Sequence, residues 1–319
     1  MRPIATLVLS LALASRALAW GPWVHEMVGQ TGAEDAGLAA PLAVAVASGS
    51  LLADIDHTLK NAGVVGDSPA FARAVAQAHG ASPLSDRFAA GLVAHALVQD
   101  PGQQEISSRD AKMCADMILV RTAGFPPAGA VFDAERLRTA ALALSGTAPS
   151  ARDLTQAAEK LLVLELVECA ALDMVPLELD EARAQMPPAL AHYERRMEES
   201  RRATAEVVAA TLDELAAHVP AQAALPSHPA DTVGLPPAAL MGLAVTTRPI
   251  AGGLTLTTVR LTHPLLFKTA IRVVVHKLGG RLFPAAAAHW QEGARVATVT
   301  AALADHLAQS AARLEALFP

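Results

Sequence analysis

The sequence predicts a mainly α-helical protein with one small β-hairpin in its C-terminal region. Alanine and leucine are abundant, aromatic residues make up 3% of the chain and β-branched runs are few, which favours helix over sheet. Long apolar segments recur, several opened by proline or a short polar residue, the usual signals of a helix start. One threonine-rich stretch, Val245 to Leu261, is arranged about Gly252-Gly253 and reads as two strands joined by a turn.

Taken in order, residues 1–19 read as a secretory signal peptide. Met1-Arg2 is a short basic start, Ile4 to Ala14 an apolar core, and Ala17-Leu18-Ala19 a small-x-small cleavage site. Val24 to Ala36 begins the helical body. Leu42 to Leu52 is a compact apolar helix with Pro41 in its first turn, ending near Asp54. Residues 58–68 read as a loop containing Gly63, Gly66 and Asp67-Ser68. Pro69 opens a helix that runs to Ala78. Phe88 to Gln99 is strongly apolar and is stopped by Pro101-Gly102, and Ser107 to Thr122 is a further helix ended by Gly124-Phe125-Pro126-Pro127. Arg152 to Val175 and Pro188 to His218 are long helices. The Pro-rich residues 220–238 form a connection. The hairpin and two final helices, about 265–278 and 286–317, close the chain. The expected organisation is a helical domain over 20–218 and a C-terminal region over 219–319.

Composition excludes several classes. The net charge is −6, and loss of Arg2 and Arg16 with the leader makes it two units more negative. A dedicated nucleic-acid binder would show a basic stripe instead. No apolar run after the leader reaches membrane-spanning length without charges, so the processed protein is expected to be exported, secreted or periplasmic. Cys114 and Cys169 are the only cysteines. They allow one disulfide or two structural thiols, but neither a disulfide scaffold nor a thiolate zinc site.

Cleavage after Ala19 exposes Trp20-Gly-Pro-Trp-Val-His25. The new α-amine has an intrinsic pKa near ~7.7–8, so a metal readily displaces its proton. Amine, Trp20 carbonyl and the His25 imidazole then make a zinc half-site. Downstream, Ala47-Ser-Gly-Ser-Leu-Leu-Ala-Asp54 leads small residues into a carboxylate, and Asp67 precedes a Pro-x-Phe turn. Ala90-Gly-Leu-Val-Ala-His95-Ala-Leu-Val-Gln99 sets two polar side chains four apart on one helix face.

These segments together resemble the zinc-dependent phospholipase C family and its relatives, the S1/P1-type nucleases. The resemblance covers roughly residues 20–120. It implies a phospholipase C/P1 nuclease-like helical bundle, with Trp20, His25, Asp54, Asp67 and His95 as metal ligands. Asp54 would also orient or deprotonate an attacking water. The implied activity is hydrolysis of phospholipid or other phosphate esters, with zinc as cofactor. The departures from the family pattern are also specific. Gln99 stands where the family helix carries an aspartate, Asp67 replaces a histidine, and residues 107–122 lack the expected His-x3-Glu pair. Fewer than three zinc ions are therefore expected. A catalytically inactive helical binding or structural protein with the same fold, and an S1/P1-like nuclease, are the alternatives.

One feature comes from periodicity alone. In Arg152 to Asp173 a turn of about 100° per residue places Glu165 and Glu168 level with Leu154, Leu161 and Leu172. Carboxylates on an apolar face are paired, metal-bound or at an exposed helix end. The mixed charges of residues 192–199 read as a solvated face.

Overall fold

Proline and short polar caps set where most of the helices begin. The computed structural model describes residues 21–78, 80, 82–99, 119–174, 187–217, 236–282 and 292–319. Helix α1 is Pro22–Asp35, α2 Ala40–Leu52, α3 Asp56–Asn61, α4 Pro69–Gln77 and α5 Pro83–Ala94. A short 3-10 turn, Ala53–Ile55, follows α2, and His95–Gln99 form one wide π-type turn after α5. The Ser68 hydroxyl accepts from Phe71 N at the start of α4, and the Ser82 hydroxyl accepts from Ser85 N at the start of α5. Each side chain satisfies an N–H that its helix leaves free.

The remaining elements are β1 Gly129–Phe132, α6 Ala134–Ser145, α7 Ala151–Asp173, α8 Pro187–Ala217, α9 Pro236–Leu240, β2 Leu243–Pro249, β3 Thr255–Leu261, α10 Pro264–Leu282 and α11 Glu292–Leu317. Asp133 and Ser150 cap α6 and α7. The hairpin and the expected helices within the described residues are present, although α5 begins at Pro83 rather than Phe88, and most of the expected helix Ser107 to Thr122 lies outside the described residues. Residues 58–61, the start of the loop expected over 58–68, instead belong to the short α3. Residues 129–132 add a third strand. The sheet is antiparallel, in the order β1-β3-β2. Gly129 faces Thr258 across one pair, and Leu243 faces Leu261 across the other. Gly252 and Gly253 both have left-handed φ, +78° and +76°, which the tight connection between β2 and β3 demands.

Helices α1, α2, α5 and α8 pack on one another as one group. Their seam is made of Ala33, Ala43, Val46, Ala90, Ala94 and Val208, all buried. At the crossing of α2 and α5 two glycines meet. A Cβ on Gly49 would strike the Phe88 carbonyl, and one on Gly91 the Val46 carbonyl. The backbones therefore touch there, which only glycine permits.

The larger core joins the rest: Leu51, Phe71, Phe88 and Phe132 pack with Leu162 and Leu166 of α7, Phe267 and Ile271 of α10, and Leu303 of α11. Strand β1 lies against α2, while α11 lies against β3. The Ser48 hydroxyl of α2 accepts from Val131 N at 2.9 Å, tying helix to sheet. Glu159 of α7 is buried against the sheet and accepts from the Thr247 hydroxyl at 2.9 Å; burial raises its pKa. The sheet takes β1 from the first 218 residues and β2 and β3 from the remainder. No helix among the described residues is long and apolar enough to cross a membrane.

Candidate functional site: a buried histidine pair

The inward side of the α1, α2, α5 and α8 group is not wholly apolar. His25 of α1 and His95 at the start of the wide turn are 0% and 1% exposed. Their ring centroids are 4.2 Å apart with the planes tilted by 46°. Gln99, at the end of that turn, is also buried. Its Oε1 lies 3.3 Å from His25 Nδ1. Its Nε2 donates to Ser50 Oγ at 3.2 Å and to Thr204 Oγ1 at 3.1 Å. Ser50 in turn donates to the Gly91 carbonyl at 3.2 Å. One amide thus joins all four helical segments. The spacing that placed His95 and Gln99 on one face holds, because a π-type turn carries residue i+4 back close to residue i. The hydroxyl of Ser200 donates to the Val98 carbonyl at 3.1 Å within the same turn.

The His95 pKa is lowered to about 4, because a dry interior disfavours the imidazolium; the Ser50 carbonyl pulls weakly the other way. His95 Nδ1 has no hydrogen-bond partner among the described residues. Glu26, adjacent to His25 in sequence, is 4% exposed, and burial pushes its pKa well above the usual carboxylate value.

Glu165 is buried as well, not at an exposed helix end, and its Oε2 accepts from Trp23 N at 3.1 Å. It is a carboxylate on an N–H at the N-terminus of α1, where the helix dipole favours negative charge. Glu168, one turn on, is half-buried. The solvated face expected on α8 carries Arg196–Glu199 and the Glu198 pairs with Arg201 and Arg202.

The expected metal ligands are distributed as follows. Trp20 and residues 1–19, the expected leader, lie outside the described residues. His25 and His95 are in ring contact. Asp54 stands half-buried in the 3-10 turn, and Asp67 half-buried in the turn before α4. Among the described residues no three His, Cys, Asp or Glu side chains are placed to hold one metal ion. The ring geometry agrees. Two imidazoles sharing a tetrahedral zinc ion, with Zn–N near 2.0–2.1 Å, have centroids about 5 Å apart. At 4.2 Å these rings are in direct contact, and the Trp20 amine, the ligand expected beside them, lies outside the described residues. Cys169 is buried, and Cys114, its possible disulfide partner, lies outside the described residues.

Sequence reasoning reached His25, His95, Gln99 and Glu165, but missed Ser50, Thr204 and Glu26. Ser50 and Thr204 are small hydroxyls with no chemistry of their own to announce them; their role follows from standing opposite Gln99. No family model matches the chain, and no curated protein or solved structure does.

Proposed function

We propose that the chain is an exported, divergent relative of the zinc-dependent phospholipase C-like fold that works as a non-catalytic helical binding protein. The observation that supports it is the Gln99 amide. In the family pattern this position calls for a carboxylate ligand. Here a neutral side chain bonds His25, Ser50 and Thr204 together where the family pattern sets a charged ligand. Amides are poor zinc ligands beside carboxylates, and hydrogen bonds made in a buried setting fix packing.

Zinc content of the full-length, correctly processed protein tests this reading. The expected result is no retained zinc after dialysis and no hydrolysis of a phosphodiester or phospholipid. Gln99→Asp should restore a charged donor and make the melting temperature rise with zinc more than the parent's does. A parent that holds zinc and loses phosphodiesterase activity on chelation would overturn the proposal.

A second reading, a phospholipase C-like hydrolase of phosphate esters, has one observation in its favour. Glu165 brings a buried carboxylate to Trp23 at the beginning of α1, two residues before His25 and three after Trp20. In that reading Trp20 completes the ligand set. A chain extended by one residue before Trp20 should then lose both zinc and activity, because the amine becomes an amide.

A further inference from the structure

We propose that the corner formed by the end of α9 and the first turn of α10 docks on an anionic phospholipid surface. Leu265 is 77% exposed, and Leu266 and Leu240 are 40% and 43% exposed. Scattered apolar residues at a surface are ordinary, but several at one corner are not. The corner is held by backbone bonds. The Gly242 carbonyl accepts from Thr262 N at 2.8 Å and from His263 N at 3.0 Å. The end of α9 is thereby pinned to the residues immediately before α10.

The leucines are not a misplaced part of the core. Helix α10 already buries Phe267, Ala270, Ile271, Val274 and Val275 along its inner face. At 100° per residue Leu265 lies about 160° around the helix from Phe267, on the outward side. Charge then selects the partner. Helix α10 carries Lys268 and Arg272 about one and two turns beyond Leu265, and its sequence holds no aspartate or glutamate, in a chain whose net charge is −6. At 100° per residue both lie within about 60° of Leu265 around the helix, on the side that bears the exposed leucine. An apolar insertion flanked by cations matches an interface of acyl chains below anionic headgroups.

Two other occupants fit less well. A two-fold contact with a second copy would set α10 against α10, bringing its cations onto their own counterparts. A nucleic-acid backbone would leave the leucines facing charge. The helix is not apolar enough to span a bilayer, so the contact is peripheral. The proposal is independent of how the histidine pair is read.

Co-sedimentation of the full chain with phosphatidylcholine vesicles, with and without phosphatidylglycerol, tests it. The parent should prefer the anionic vesicles by about ten-fold or more at low salt and lose that preference as salt rises. Leu265→Ser combined with Leu266→Ser should weaken binding about ten-fold with the helical signal and melting temperature unchanged. Lys268→Glu should reduce the preference for anionic vesicles while leaving the weak binding to neutral ones. Several results would overturn the proposal. They are equal or absent pelleting of the parent with the two vesicle types, parent-like binding by the double leucine variant, or a parent dimer that the double leucine variant dissociates.

Discussion

Gln99 meets His25 across 74 positions of sequence, with its Oε1 3.3 Å from the imidazole Nδ1, while its amide nitrogen serves two hydroxyls. Replacing it by leucine keeps the volume and strands three polar groups in a dry interior. Gln99→Leu should lower unfolding stability by about 2–4 kcal/mol, the usual penalty for buried groups left unpaired. Urea denaturation followed by circular dichroism measures it. A loss below about 1 kcal/mol would mean that water reaches these groups and makes good the lost bonds.

Acid sensitivity should be traceable to His95. Its folded pKa, about 4, is below the ordinary 6.5. Between those values the unfolded chain takes up a proton that the folded chain refuses. The contribution is fully present above pH 6.5 and is lost as pH falls toward 4, on the order of 3 kcal/mol. His95→Gln should flatten this limb in urea midpoints recorded against pH. Parallel curves for parent and variant would remove His95 as its source.

Glu26 should act with the opposite sign. Its folded pKa is raised by burial, so the folded chain keeps a proton that the unfolded chain releases above about 4.5. The contribution is present below that value and declines as pH rises through the raised pKa. Glu26→Gln should therefore stabilise the protein at neutral pH relative to acid pH. A variant whose pH dependence matches the parent's would show that Glu26 ionises as freely folded as unfolded.

Arg136 supports a second polar centre, away from the histidines. Its side chain is 1% exposed and bonds the Val75 and Ala76 carbonyls, Ser85 and Asp86. Asp133, which caps the same helix, accepts from Ser85 and from Arg136 N. Arg136→Met should cost about 3–5 kcal/mol, because it leaves buried carbonyls and a carboxylate without their cation. The same change combined with Asp133→Asn should cost less than the sum of the two single changes. Additive losses in chemical denaturation would show that the two residues do not act as one unit.

Much of the helical order was legible because proline marks helix starts whatever surrounds it: Pro69 stands at the first position of α4, while α5 opens at Pro83, five residues before the start expected at Phe88. Strand β1 was not legible. Gly-Ala-Val-Phe is four residues long, buried along its whole length, and shows no alternation to read; its pairing with β3 supplies the definition. Helix α6 did carry signals, with Asp133 before it and Gly146 after it, but they stand beside that unreadable strand. At the site, spacing identified His95 and Gln99 as neighbours. It did not reveal that Gln99 would engage Thr204, because α8 reads as a charged, solvated helix in which one inward threonine has no distinguishing pattern. Glu165 was noticed because a carboxylate among leucines breaks periodicity; its partner is a main-chain N–H, which no side-chain pattern encodes.

The glycine crossing of α2 and α5 has a consequence for how such a centre changes over time. Gly49 and Gly91 set the closeness of the two backbones, and hence the reach of Ser50 on one helix and of the turn bearing His95 and Gln99 on the other. The location of the polar centre is thus held by residues that contribute no functional group, while its chemistry is held by side chains that can be exchanged singly. A carboxylate and an amide of similar shape can trade places at residue 99 without the backbone moving. Loss or recovery of charge at the heart of this fold is then a matter of one codon. Any side chain at either glycine would instead have to prise two helices apart, and the centre would lose its location before it lost its donors.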